Sequence, residues 1–257
     1  MRMVLLGSSS SIPTLDRDNT ALFVEIGGER FLVDCAGSID QKLFRMKVNP
    51  DDISHMIVTH SHTDHIYGIP LLIHNYLLKR RTERFSIYGP RDAIDIISGV
   101  LDVMKLSPKR LTFPLNLRAI PLKNEFPLFY NDRFEIRTHP VRHSRETIAL
   151  RFSEKGGSSF AYCTDTGFFE GLCEFVSSCD ILFHDAAAPH RFIAELGGNH
   201  STAREAGIIA SKAGVKKLVL IHMDFRKGFT EQEIVMEAKE FFNGEVVAGS
   251  DFMVFDL

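Results

Sequence analysis

The chain lacks the features that mark several large classes of protein. It has only four cysteines in 257 residues and no CxxC pair, which argues against a disulfide-stapled secreted domain and indicates reduced thiols inside a cell. No stretch approaches the roughly 20 apolar residues that a membrane span requires, and the opening MRMVLLG is too short for the core of a signal peptide. We therefore expect a cytoplasmic protein with no membrane partner. The cysteines are Cys35, Cys163, Cys173 and Cys179.

The chain also lacks a strong charge of either sign. Its formal net charge is −3 and its sequence pI is near 6.4, which argues against a protein that holds nucleic acid by bulk positive charge. The one visible basic patch, at 79–81 with Arg84, ends a predicted helix, where cations are common. No low-complexity segment or long Pro/Gly linker divides the chain, and a hydrophobic content of 44% suits one domain over residues 1–257.

The predicted strands and helices fall into two groups, each opening with strands and continuing with strand–helix alternation. This pattern indicates an α/β protein with two mixed sheets packed face to face and helices outside. The segment 113–130 is rich in proline and aromatic residues and is interpreted as an irregular excursion that covers the site. The first group has strands at 3–6, 21–26, 30–34, 53–59 and 85–88 and helices at 38–46, 68–79 and 91–105. The second has strands at 117–120, 134–141, 147–152, 160–164, 181–184, 217–221 and 252–256 and helices at 168–176, 201–213 and 230–241.

Residues 60–65 read His-Ser-His-Thr-Asp-His and place four potential metal ligands in six positions. They follow the apolar, β-branched run 53–59, which predicts that a strand delivers the ligands at its end. The alternative is a polar turn without a metal. Imidazole and carboxylate ligands suit zinc and also tolerate manganese or iron, so the hexamer predicts a site for a divalent metal.

Three later residues also stand at the ends of predicted strands, so four strand ends could meet at one sheet edge. Taken alone, each of the three could equally be structural. His60 and His62 alternate across one extended residue and can face one metal, whereas Asp64 and His65 face the other way. Two metals about 3.5–4 Å apart generate a hydroxide at neutral pH and clamp the oxygens of a displacement. The predicted ligands are His60, His62 and His143 for the first metal, Asp64, His65 and His222 for the second, and Asp165 as the bridge.

The hexamer HSHTDH resembles the HxHxDH signature of the metallo-β-lactamase fold, and matching ligand motifs cover nearly the whole chain. Other segments resemble ribonuclease Z and its relatives. The resemblance implies a four-layer αββα sandwich, a dinuclear zinc centre with the ligands given above, phosphodiester hydrolysis and a homodimer. The similar segments are the opening 6–37, HIYGIPLLI at 65–73, YCTDT at 162–166, FHDAA at 183–187 and NHSTAREAG at 199–207.

The resemblance also implies the catalytic residues. His200 would face the scissile phosphate and either stabilise the transition state or protonate the leaving oxygen. Asp185 stands where the family usually has Glu and would be the carboxylate partner of His200. The nucleophile would be a hydroxide that bridges the metals, with Asp64 as both ligand and proton acceptor. The alternative for His200 is a structural residue just before a helix that Ser201 or Thr202 caps.

One departure from ribonuclease Z decides the predicted substrate. That family carries a long arm that grips tRNA, commonly between the residues that match His143 and Asp165, and only one hairpin fits in this interval here. We therefore predict a phosphodiesterase that acts on a small cyclic or nucleotide-like diester, with RNA as the less favoured partner. The alternatives are a ribonuclease Z-type tRNA 3′-end endonuclease, a lactone, thioester or sulfate ester hydrolase on the same fold, and a non-catalytic metal-containing sensor.

Overall fold

The computed structural model describes residues 1–257 and contains two mixed sheets of seven strands each. The strands of the first sheet are β1 (Arg2–Gly7), β2 (Ala21–Ile26), β3 (Glu29–Val33), β4 (His55–Ile57), β5 (Phe85–Gly89), β6 (Leu115–Ala119) and β14 (Val254–Asp256). The strands of the second sheet are β7 (Phe126–Tyr130), β8 (Phe134–Pro140), β9 (Ile148–Glu154), β10 (Ser159–Cys163), β11 (Ile181–Asp185), β12 (Lys217–Ile221) and β13 (Glu245–Ala248).

The strands are connected by loops and by α-helices, and no helix combines the length and the apolar character that crossing a membrane requires. The helices are α1 (Ile39–Arg45), α2 (Thr63–Ile66), α3 (Ile69–Leu78), α4 (Arg91–Val103), α5 (Leu172–Phe175), α6 (Ile193–Leu196), α7 (Ala203–Ala213) and α8 (Glu231–Lys239).

Alternating side chains on the strands show how the layers pack. In β1, Met3 and Leu5 belong to the core between the two sheets, whereas Val4 and Leu6 pack with the helices that cover the first sheet. Strand β12 alternates in the same way between the inter-sheet core and the helices on the second sheet. Because a strand with two apolar faces must be covered on both sides, each sheet takes one outer layer of helices. The predicted αββα sandwich is confirmed.

The strand directions bring several strand ends to one edge of each sheet. Strands β3, β4 and β5 run parallel in the first sheet, and β10, β11 and β12 run parallel in the second. Strand β8 has the same direction as β10 because both pair antiparallel with β9. Residues that follow the carboxyl ends of these strands can therefore meet. They include Asp34, His60, His143, Asp165 and His222.

Local sequence signals fix two turns of this fold. Gly27 and Gly28 have φ angles of 57° and 79° in the predicted β2–β3 hairpin, and glycine adopts these positive values without a steric penalty. Helix α7 begins with a capping box, in which the side chains of Thr202 and Glu205 each accept a hydrogen bond from the backbone N–H of the other. This cap fixes the direction of the chain immediately after His200.

Several sequence-based assignments are wrong. The segment 113–130 is not an irregular excursion, since it contains β6 and β7, the edge strands of the two sheets. Pro127 is tolerated there because an edge strand can lose one N–H donor, and the β7–β8 register shifts beside it. The strand predicted at 117–120 pairs with β5 and so belongs to the first sheet, not to the second group. Edge strand β13 has no predicted counterpart, and the helix predicted at 168–176 is only the single turn α5.

Two helical glycines test how tightly the outer helices pack. A Cβ atom on Gly207 in α7 would lie 2.5 Å from the carbonyl oxygen of Ala238 in α8, so Gly207→Ala should lower the free energy of unfolding. Overpacking of this kind costs about 1–3 kcal/mol. Gly99 in α4 has open space at its Cβ position, and Gly99→Ala should raise the same free energy by about 0.5–1 kcal/mol. Urea unfolding measures both, and equal effects would contradict the close approach of α7 and α8.

Candidate metal centre

Three imidazoles form the first group of potential ligands. His60 and His62 come after β4, and His143 comes after β8. His62 Nδ1 lies 3.0 Å from Nε2 of His60 and 3.0 Å from Nε2 of His143. His60 is fully buried, whereas His62 and His143 line a cavity. The residues predicted for the first metal therefore converge.

The second group consists of Asp64, His65 and His222. Helix α2 begins at Thr63, directly after His62, so the chain changes direction before it reaches Asp64. His65 Nε2 lies 3.5 Å from Asp64 Oδ2, and the ligand atoms of all three residues lie within 4.8 Å of one another. The residues predicted for the second metal therefore also converge.

The carboxylate of Asp165 lies between the two groups. Its Oδ2 atom is 3.6 Å from His60 Nε2 and 3.7 Å from His143 Nε2. On the other side, its Oδ1 atom is 3.2 Å from His65 Nε2, and Oδ2 is 3.2 Å from His222 Nε2. Asp165 comes after β10 and is 2% exposed. It occupies the position that a bridging ligand requires.

Three residues at this edge have backbone conformations that residues other than glycine rarely adopt. Asp34, Asp165 and His222 have φ angles of 61°, 49° and 60°, and each stands within two residues of the end of a strand. A left-handed conformation costs a non-glycine residue about 1 kcal/mol or more. The surrounding structure maintains these strained conformations. They direct the three side chains toward the cluster.

Groups behind the potential ligands orient their rings. His65 Nδ1 donates to Asp34 Oδ2 at 2.7 Å, and Asp34 accepts further hydrogen bonds from the backbone N–H and the hydroxyl of Thr59. His143 Nδ1 donates to the carbonyl of Asn199 at 2.9 Å. Such bonds leave Nε2 of each imidazole free to face a metal. Neither Asp34 nor Asn199 has a role predicted from the sequence, although the parallel pairing of β3 with β4 places Asp34 at the same edge.

The protonation states suit a cluster that binds cations. Burial lowers the pKa of all three imidazoles of the first group, so at neutral pH one nitrogen of each ring carries a free lone pair. Burial opposes ionisation of Asp165, but His222 and His65 help to hold its pKa well below its usual range. Burial also opposes a charge on His65, yet Asp165 and Asp34 raise its pKa well above the ordinary value. The two carboxylates therefore require a positive charge between them, and a metal ion can supply it in place of the proton.

Unpartnered buried atoms point to the same conclusion. His65 Nε2 and both ring nitrogens of His222 are buried and have no hydrogen-bond partner. A buried polar atom without a partner is costly and calls for a functional explanation. Coordination of a metal would satisfy His65 Nε2 and one ring nitrogen of His222, and a set of imidazole and carboxylate donors is what divalent ions, zinc in particular, accept. The residues present therefore fit divalent metals.

A histidine–carboxylate pair lies beside the cluster. His200 Nδ1 donates to Asp185 Oδ2 at 2.9 Å, and the His200 ring stacks on His222 with centroids 4.9 Å apart. Asp185 is fully buried, and its Oδ2 also accepts from the backbone N–H of Thr166. Burial disfavours a charged imidazole, but Asp185 more than offsets this effect and the pKa of His200 rises to about 9. The short side chain of Asp185 thus reaches His200, which is protonated at neutral pH.

A cavity of about 250 Å³ gives access to the cluster and to His200. No residue of 113–130 lines it, so the prediction that this segment covers the site is wrong. A larger cavity of about 560 Å³ lies beside residues 13–18 and contains none of the cluster residues, so ligand chemistry rather than size identifies the site. Besides the cluster residues and His200, the 250 Å³ cavity is lined mainly by Ser10, Ser11, Ser144, Glu195, Asn199, Asp224 and Lys227.

Comparison with known proteins agrees with this geometry. The family model described as a beta-lactamase superfamily domain matches residues 29–223. Ribonuclease Z of Haloarcula marismortui is 29% identical over 301 aligned positions, which cover 98% of this chain and 96% of the relative. The metallo-beta-lactamase fold protein YhfI of Bacillus subtilis has a TM-score of 0.82 at 23% identity, covering 99% of this chain and 98% of its own. The short form of human tRNase Z has a TM-score of 0.81 at 23% identity, covering 100% of this chain and 99% of its own.

The fold and the His/Asp cluster define a metal-dependent hydrolase that uses divalent cations. Because the family model spans most of its length, the chain belongs to the beta-lactamase superfamily. Within that superfamily it is similar to ribonuclease Z along nearly its whole length. The family resemblance drawn from the sequence motifs is confirmed.

Loss of individual ligands should lower the bound metal in a graded way. Asp165→Ala removes the carboxylate that faces both groups and should reduce the metal at both sites, whereas His62→Ala should empty only the first. Elemental analysis of zinc-loaded protein measures the content. His74 is exposed on α3, and its Ala variant should keep the wild-type content as a matched control. Two full metal equivalents in Asp165→Ala would contradict the assignment.

Proposed function

We propose that this chain hydrolyses phosphodiester bonds in RNA as a ribonuclease Z-type endonuclease. The observation that carries the proposal is the His200–Asp185 pair, which holds a protonated imidazole beside the cluster and against the ring of His222. A fixed cation in this position offsets the charge that develops on a phosphoryl oxygen. Similarity to ribonuclease Z of Haloarcula marismortui over 98% of the chain supports RNA as the substrate class.

Each residue of the site has a role in this proposal. Two zinc ions, when bound, lower the pKa of water and offset charge on the attacking and leaving oxygens. Asp64 accepts the proton that the attacking water loses, and His200 stabilises the phosphoryl oxygens and protonates the leaving oxygen. Asp185 keeps His200 charged and oriented. The residues that would hold the metals are His60, His62 and His143 for the first, Asp64, His65 and His222 for the second, and Asp165 for both.

A second candidate is hydrolysis of a small cyclic or nucleotide-like diester, and the short connection between His143 and Asp165 favours it. Strands β9 and β10 are joined by a turn of only four residues, 155–158. The alignment with the Haloarcula marismortui protein runs over 301 positions against 257 residues here, so at least 44 of those positions are absent from this chain. A small diester needs less protein surface for binding than a folded RNA does.

Three broader features complete the proposal. Residues 1–257 act as one domain, which the inter-sheet core supports because it draws side chains from both sheets. The enzyme works in the cytoplasm, in keeping with four free cysteines. The homodimer expected from the family resemblance stays a prediction.

Removal of the His200 imidazole should separate catalysis from metal binding. His200→Ala should lower kcat by about 100- to 1000-fold at unchanged metal content, because the variant loses the cation that faces the phosphoryl group. Asp185→Glu should keep most of the activity, since a longer carboxylate can still accept from His200 Nδ1. Steady-state kinetics and elemental analysis measure both effects. Loss of metal in His200→Ala would instead make His200 a ligand, which its closeness to Asp165 and His222 permits.

A substrate panel decides between the two candidates. Zinc-loaded protein is offered a precursor tRNA with a 3′ trailer, a cyclic nucleotide, bis-p-nitrophenyl phosphate and a lactone. We expect kcat/KM to be highest for the precursor tRNA, with His200→Ala as the control for background cleavage. Rapid cleavage of a small diester without cleavage of precursor tRNA would favour the second candidate. Hydrolysis of the lactone alone would contradict the proposed phosphodiester chemistry.

A further inference from the structure

One cation on the wall of the active-site cavity has no part in the mechanism above. Lys227 is the only Lys or Arg among the residues that line this cavity. Its ammonium group forms an ion pair with Glu195, which lines the same cavity. The Lys227 side chain is 18% exposed, whereas that of Glu195 is 58% exposed. The pair thus joins a largely covered cation to an exposed carboxylate.

The backbone holds Lys227 close to the cluster. Only four residues separate it from His222, at the end of β12, and a short 3-10 turn over Phe225–Lys227 ends at Gly228 with φ of 76°. The ammonium nitrogen also lies 5.4 Å from the centre of the Phe192 ring. The turn thus places Lys227 beside the cavity, and the Phe192 ring gives its ammonium group a contact besides Glu195.

The two charged neighbours of Lys227 in the chain, Asp224 and Arg226, neutralise each other. Arg226 is bound to Asp224 through two hydrogen bonds of 2.7 and 2.9 Å, so these charges cancel. The ion pair between Lys227 and Glu195 contributes little stability, because water solvates the exposed Glu195 carboxylate when the pair opens. A phosphate oxygen offers Lys227 a charge-assisted hydrogen bond of the strong kind. An anionic ligand in the cavity can therefore displace Glu195.

We propose that Lys227 is a specificity-determining residue that binds a second phosphate, one nucleotide away from the scissile phosphodiester, and that Glu195 is the competing anion it releases. The inference rests on the proposed function, because it requires that the cluster and His200 bind the scissile phosphate while Lys227 binds the next phosphate. The substrate class is then a diester that carries a further phosphate, as in an RNA chain or an oligonucleotide with a terminal phosphate. A diester with a single phosphate gains nothing from Lys227.

Removal of the charge of Lys227 and removal of the charge of Glu195 should change the affinity for a ligand in opposite directions. Calorimetry with zinc-loaded protein compares adenosine 5′-monophosphate with adenosine 3′,5′-bisphosphate. Lys227→Met should weaken binding of the bisphosphate about tenfold or more, since a hydrogen bond to a charged group is lost. Glu195→Gln should tighten it, by up to about fivefold, because the competing carboxylate is gone. Binding of the monophosphate should change by less than twofold in either variant.

A matched ion pair provides the control. Lys212 and Glu170 form an exposed pair at the last turn of α7, whereas His200 lies before the first turn of that helix. Lys212→Met and Glu170→Gln should leave both affinities unchanged. If Lys227→Met and Glu195→Gln weaken binding alike, the pair only braces the loop and the inference is wrong. Equal affinity of the wild-type protein for the two ligands would also overturn it.

Kinetics separate this inference from the proposed function. The dinucleotides ApA, pApA and ApAp differ only in a phosphate at the 5′ or the 3′ end, and the form with the lower KM shows on which side Lys227 binds. Lys227→Met should raise that KM about tenfold with little change in kcat. No hydrolysis of any dinucleotide or of precursor tRNA, together with the expected calorimetric result, would refute the proposed function alone. Hydrolysis with identical KM values for all three would refute the role of Lys227 alone.

Discussion

The buried negative charge of Asp165 is the constraint on which the metal-binding edge depends. An ionised carboxylate that is 2% exposed is unstable unless cations and hydrogen-bond donors surround it. Thr164 donates to it at 2.7 Å, and four imidazoles face its two oxygens. These groups follow strands that are distant in sequence, so the pairing of both sheets must form before the charge is compensated. The cluster and the sandwich therefore depend on each other, and the positive charge missing from the cluster is what a divalent metal supplies.

The same edge also stores strain. Asp34, Asp165 and His222 hold left-handed backbone conformations, each of which costs about 1 kcal/mol or more. The bond between Asp34 and His65, and those that Thr59 donates to Asp34, help to offset this cost. The donors behind the ligands thus serve stability and chemistry together, because they fix the ring orientations before any metal or substrate arrives. A rigid site of this kind needs little reorganisation when charge develops on a substrate.

The sequence predicts which His and Asp residues come together better than it predicts the groups around them. His60 and the rest of the hexamer are visible because they cluster at the end of an apolar run, and Asp165 and His222 are visible at later strand ends. The carbonyl of Asn199 has no such signal, since a backbone acceptor can belong to any residue type. The segment 113–130 misleads because proline and aromatic residues are common both in loops and in edge strands, and only the pairing with β5 and β8 distinguishes the two.

The substrate is harder to predict from the sequence than the metal-binding cluster is. In a hydrolase, the residues that perform the chemistry and the surface that selects the substrate are separate parts. The predicted ligands lie together and the His200–Asp185 pair is formed in this chain, whereas at least 44 aligned positions of the Haloarcula marismortui ribonuclease Z are absent from it. Binding energy that such positions would contribute has to come from groups nearer the cluster. Lys227 is the one Lys or Arg on the cavity wall, so the short chain makes this single cation more important for discrimination than it would be beside a large RNA-binding surface. On this view the same cavity of about 250 Å³ both performs the hydrolysis and selects the substrate.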